Sequence, residues 1–118
     1  MQAQLNNLLE RHCETIKSSV TALGSQLAEI AEGSAPDPLG AVQSAEALAH
    51  QLKGSSGTAG FHEISRAATA LDDRLKVLCK ANGKEVADGA KAIMGLFGQL
   101  ERLSGSLSPA SSSLYRAA

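Results

Sequence analysis

The sequence has no tryptophan, one tyrosine and two phenylalanines, so aromatics make up only 3% of its 118 residues. A surface that stacks nucleic-acid bases on aromatic side chains is therefore not expected. Positive charge is not in excess either: 11 Lys+Arg stand against 12 Asp+Glu, a formal net charge of −1. Binders of the phosphate backbone carry a basic surplus, so no nucleic-acid partner is expected. Cys13 and Cys79 are the only cysteines, too few for a disulfide framework. No apolar run approaches the roughly 20 residues that cross a bilayer, and Met1-Gln2-Ala3-Gln4 lacks the basic and apolar regions of a secretory signal. No membrane partner and a cytoplasmic location are the expectation. The histidines and cysteines show no metal-ligand spacing, and no glycine-rich phosphate loop follows a strand pattern. Neither a metal, a cofactor nor an ATP site is expected, and hence no autonomous kinase activity.

What the chain does have is helical periodicity. Hydrophobic residues at 43% suffice for one core. From Gln4 to about Glu32, Leu5, Leu9, Ile16, Val20, Leu23, Leu27 and Ile30 form one stripe, with a missed step near His12 and Cys13. That helix would be about 40 Å long. Asp37-Pro38 then offers an N-cap carboxylate before a first-turn proline. The second segment runs from Pro38 to about Gly57, with Ala41, Ala45, Leu48, Leu52 and Ser55 as its inner row. The third, from about Phe61 to Ala81, carries Ile64, Ala68, Leu71, Leu75 and Leu78 on one face, and Asn82-Gly83 stops it. The fourth, Lys84 to about Leu103, repeats the pattern at Val86, Ala90, Ile93, Phe97 and Leu100. Its Gly89, Gly95 and Gly98 each cost about 1 kcal/mol in a helix interior unless a neighbour packs closely.

No run alternates with period two, so the expected fold is all-α. Four stripes joined by short breaks make an antiparallel up-down-up-down four-helix bundle with a long first helix. The bundle should span 1–105. The Ser-, Ala- and Gly-rich stretch from Ser104 onward leaves 106–118 as a frayed or disordered tail. The first helix leaves a dimer conceivable, but a monomer is expected.

The second segment holds the chemistry. On a helix, His50 lies about 160° from Leu48 and Leu52, away from that inner row. Lys53 and Gly54 follow on the same face, and Glu46 and Gln43 precede it. A neutral imidazole can attack phosphorus through one ring nitrogen. A phosphoryl group brings about −1.5 to −2 charges, which an ammonium one turn away offsets in part. Gly54 leaves clearance for the phosphorylated ring or an incoming partner; as a plain alternative, it merely begins the helix end. Taking Phe61 as the midpoint of a helical hairpin, His50 stands 11 residues before it and Asp72 11 after. A carboxylate there would accept from one ring nitrogen and leave the other as nucleophile. His12 reads instead as partly buried, His62 as an ordinary surface histidine, and both cysteines as core fillers.

Ala49-His50-x-Leu52-Lys53-Gly54-Ser55-Ser56-x-x-x-Gly60 resembles the signature of histidine-containing phosphotransfer (HPt) domains. The resemblance is sharp from Ala49 to Gly60 and extends through Leu75; Asp72 departs from it, since that family often has Gln or Glu there. It implies a four-helix bundle, His50 as the phosphorylated residue, Lys53 supporting the phosphoryl group and Gly54 keeping the approach open. The implied function is a phosphocarrier of a two-component phosphorelay. It would exchange a phosphoryl group with the aspartate of a receiver domain, or take it from a sensor or hybrid histidine kinase. Mg²⁺ would come with the receiver. The docking face would include Gln43, Glu46, Ala49, Gln51 and Gly57 with apolar residues of the first helix. The alternative is a helical scaffold whose histidine is never phosphorylated.

Overall fold

The computed structural model describes residues 1–117, Gly83 by its helical backbone only. Four helices follow in order: α1 Gln2–Glu32, α2 Pro38–Thr58, α3 His62–Leu78 and α4 Gly83–Gly105, then a short 3-10 turn at Pro109–Ser111. There is no strand among the described residues. Each helix packs on its two neighbours round a ring, α1 against α2 and α4, and α3 against α2 and α4. With three short connections this is the up-down-up-down antiparallel bundle, 52 × 20 × 20 Å. The long dimension is set by α1, about 46 Å at the usual rise.

The core is the sum of the four stripes. On α1, Leu9, Cys13, Ile16, Val20, Leu23, Leu27 and Ile30 are buried, so Cys13 fills the missed step. His12 beside it is exposed rather than partly buried, because Cys13 takes the inward position. The expected rows of α3 and α4 are buried as a whole. On α2 the buried row is Val42, Ala45, Ala49, Leu52 and Ser56, rotated from the expected one. Ala41 and Leu48 are only half-buried and Ser55 is exposed. So many small residues lie on α2 that its apolar moment is weak, and α3 decides which of them face inward.

Capping sets the breaks. Gly33 ends α1 at φ 75, a left-handed conformation open to glycine, with its N–H on the carbonyls of Glu29 and Ile30. Asp37 Oδ1 accepts from Gly40 N at 3.1 Å, and Pro38 opens α2. Phe61 has no side-chain cap to offer α3; it is buried instead, 1% exposed. α3 stops at Leu78, three residues before the expected Ala81. There Lys80 N and Ala81 N fall back on the carbonyls of Val77 and Leu78 in tight turns. Of the α4 glycines, Gly89 has a packing reason: a Cβ there would strike Leu78 Cδ1. Gly24 on α1 does the same for α4, since an added Cβ would lie 2.7 Å from Phe97 Cζ.

The segment after Gly105 differs from the frayed tail expected of its composition. Leu107 and Ser112 are buried, Ser112 Oγ donates to Ala59 O at 2.6 Å, and Ser113 N donates to Gly60 O at 3.0 Å. Serines satisfy the open carbonyls of the α2–α3 corner, a use that composition does not reveal. Ala118 lies outside the described residues.

Removing the α2 cap should loosen the bundle. Asp37→Ala is expected to cost about 1 kcal/mol, read as a lower midpoint in thermal or urea unfolding.

Candidate functional site

The rotation of α2 decides where its polar residues go. With Ala45, Ala49 and Leu52 inward, His50 stands about 100° from Ala49, on the flank beside α3 rather than opposite the core. Its side chain stays 62% exposed. Its Nδ1 nevertheless lies 3.2 Å from Oδ2 of Asp72, a side chain with no solvent exposure at all. The helical hairpin about Phe61 thus brings residues 50 and 72 side by side.

Asp72 gathers further partners. Lys76, one turn on along α3, puts Nζ 3.2 Å from the same Oδ2. Glu46, one turn before His50, is half-buried, and one ligand atom each from Glu46, His50 and Asp72 all lie within 4.8 Å of one another. Burial alone would raise the Asp72 carboxyl. Hydrogen bonds with Glu46, His50 and Lys76, together with the Lys76 charge, outweigh it and hold Asp72 below the usual carboxylate range. Glu46 moves the opposite way, raised first by its hydrogen bond to Asp72, then by desolvation and by the Asp72 charge. Lys76 is raised by its bond to Asp72 and by that carboxylate's charge. Of the two carboxyls Asp72 is therefore the stronger acid and Glu46 the weaker, so a proton taken up by the pair goes to Glu46 first. The buried Oδ1 of Asp72 has no hydrogen-bond partner.

An ionised carboxylate only accepts, so the Nδ1 facing Asp72 carries a proton, and in the neutral ring Nε2 is the atom with the free lone pair. Glu46, His50 and Asp72 are the residues that could hold a cation, but the Lys76 ammonium already stands on Asp72.

The other expected residues fall in several places. Lys53 is half-buried and Gly54 exposed, both on the His50 flank. A Cβ on Gly54 would meet nothing within 4 Å, so no packing inside the chain requires that glycine. Gln43 and Gln51 are exposed. Ala49 is a correction: it is wholly buried and has no surface to offer a partner, because the inward row of α2 sits one position from the expected one. Gly57 is half-buried and turned towards α3, where an added Cβ would lie 3.2 Å from Ser65 Oγ. That same Ser65 Oγ donates to Lys53 O at 2.9 Å and ties α3 to α2. His62 is exposed, its Nε2 3.1 Å from Ser113 Oγ. Sequence reasoning missed Lys76, although its i,i+4 spacing from Asp72 was there to find.

The raised acid of Glu46 has a definite consequence for stability. A carboxyl raised on folding stabilises the native state fully below its unfolded value, and that contribution is lost as pH rises through the folded one. Wherever Glu46 is ionised in the folded chain it therefore costs stability. Glu46→Gln, which places an amide donor beside Asp72, should raise the thermal midpoint at pH 7. The advantage should shrink as pH falls towards about 4.5, the ordinary value above which Glu46 is raised, and be gone below it, where Glu46 holds its own proton in the folded and unfolded chain alike. Thermal unfolding of both forms from pH 4 to 8 measures it.

A family model described as "Hpt domain" matches residues 2–108, nearly the whole chain. No curated protein and no solved structure gives a significant match. The four-helix bundle agrees with that match: the chain belongs to the Hpt domain family, whose members work in phosphorelay signalling.

Proposed function

We propose that this chain is a phosphocarrier whose Nε2 atom of His50 takes a phosphoryl group from the aspartyl phosphate of a receiver domain, or from a kinase, and passes it to another receiver's aspartate. The observation that carries the reading is the 3.2 Å contact between Nδ1 of a solvent-exposed imidazole and a fully buried carboxylate. It gives one nitrogen a fixed proton and leaves the other as a nucleophile facing water.

The step balances without an external base. The Nε2 lone pair forms the N–P bond as the P–O bond to the receiver aspartate breaks, and that carboxylate leaves. The ring becomes an imidazolium with its proton still on Nδ1, opposite the Asp72 anion. On the return step the receiver carboxylate attacks phosphorus and the neutral imidazole departs. Asp72 is thus a positioning residue that also stabilises the cationic ring. Lys53 and Lys76 offset charge on the phosphoryl oxygens, and Gly54 leaves room for them. Mg²⁺ belongs to the receiver on this reading. Gln43 and Gln51 supply exposed polar contacts for docking.

His50→Gln should abolish acid-labile, alkali-stable labelling from a phosphorylated receiver; retained labelling would move the site elsewhere. A pure scaffold would bind the receiver and never take label, in the native form as in the variant. Asp72→Ala should slow transfer several-fold while the bundle still unfolds cooperatively, as followed by single-turnover labelling and circular dichroism. An unchanged rate would remove the role given to Asp72.

A further inference from the structure

We propose that the C-terminal segment, through Leu114, forms part of the surface on which the receiver domain docks, and that this contact helps set which receivers are accepted. The inference rests on the phosphocarrier reading and deepens it.

Leu114 lies in a shallow groove with Leu5, Leu8 and His12 of α1 and Gly54 and Ser55 of α2. Gly54 is one helical turn, about 6 Å, from His50. A receiver must bring its phosphorus to bonding distance of the His50 ring. A standard interface covers about 800 Å² on each partner, a disc of roughly 16 Å radius. Unless the receiver sits entirely to one side of His50, the groove at Gly54 falls beneath it. Two leucines there remain open to water, Leu8 at 52% and Leu114 at 42% exposure. An apolar side chain of the receiver face is the occupant that such a pair fits.

The segment is fastened before any partner arrives. Upstream of Leu114, Ser112 Oγ donates to Ala59 O at 2.6 Å and Ser113 N donates to Gly60 O at 3.0 Å. Downstream, Asn6 Nδ2 donates to Arg116 O at 2.8 Å. Leu114 N itself donates to Ser112 Oγ at 3.0 Å. The seat depends on Gly60: its φ of +83 favours glycine, and an added Cβ would lie 2.7 Å from the Ser112 and Ser113 hydroxyls. A segment tied on both sides of one half-exposed leucine presents that leucine without an ordering cost on binding. A strap serving stability alone would gain more by turning it inward.

The test compares full-length native protein, Leu114→Asp and Leu8→Asp in single-turnover transfer from whichever phosphorylated receiver labels the native form, at varied receiver concentration. His50→Gln serves as the labelling control. Both leucine variants should raise the half-saturating receiver concentration about five- to thirtyfold, the loss of one apolar side chain's burial. The limiting transfer rate at saturation should stay as in the native protein. An unchanged half-saturation with Leu114→Asp overturns the inference, as does a change confined to the limiting rate. Should Leu114→Asp lower the unfolding midpoint, Leu114→Gln, with similar bulk and no charge, gives the same reading. If the native protein itself takes no label from any receiver, the phosphocarrier reading fails first; if it labels while both variants saturate normally, only the docking inference falls.

Discussion

A fully buried carboxylate, Asp72, is the constraint around which the functional end of this bundle is arranged. Removing an isolated charge from water costs several kcal/mol, and only close partners offset it. Here the partners come from both helices of one hairpin: His50 from α2, and Lys76 from α3 itself. Oδ2 carries both contacts, while the buried Oδ1 has no hydrogen-bond partner. One buried anion therefore fixes the ring orientation, the place of the ammonium and the acid strength of a neighbouring side chain.

That anion is reachable because α2 presents almost no bulk to α3. Ala45 and Ala49 are wholly buried, Gly57 stands against Ser65, and Ser65 Oγ reaches the Lys53 carbonyl at 2.9 Å. Small residues let two helices approach, and close approach suits a short acid. Relatives of this family often have Gln or Glu at the position of Asp72, side chains one methylene longer. Asp72, one methylene shorter, reaches His50 Nδ1 at 3.2 Å, and the residues buried on α2 nearby in sequence, Ala45 and Ala49, are small.

The stripes of α1, α3 and α4 were legible because leucine, isoleucine and valine recur on them with a clear 3.6-residue period. On α2 the same reasoning slipped by one position. Ala41, Ala45, Ala49, Ser55 and Ser56 differ so little in hydrophobicity that periodicity cannot choose among them, and packing against α3 does. Hence Ala49 was expected outside and lies inside, whereas His50, flanked by charged and polar neighbours, was expected outside and is. The pairing of positions 50 and 72 could be counted from Phe61, since a helical hairpin has a register as a strand hairpin does. Lys76 could be counted too, one turn on from Asp72, whereas the acid pair could not, because it depends on which way side chains turn at the rim. The C-terminal segment was illegible for another reason: serines signal flexibility by composition, yet at the α2–α3 corner they meet open carbonyls.

The charges around His50 fit a carrier better than a trap. Asp72 and Glu46 balance Lys53 and Lys76, so with a neutral imidazole the cluster sums to about zero. A phosphoryl group adds roughly two negative charges, and the ring, proton still on Nδ1, adds one positive. On the proposed reading the cation would meet the buried anion, and the phosphoryl oxygens would stay at the water-facing side, with two half-exposed lysines, Lys53 and Lys76, in the cluster. Solvent screens those outer attractions and keeps each of them weak. On the proposed reading the strong interaction falls on the ring, whose orientation would serve both attack and departure, and the weak ones on the group that would have to leave. A cluster with a deeper hold on the phosphoryl group would load as readily and unload more slowly, and that asymmetry would defeat a relay.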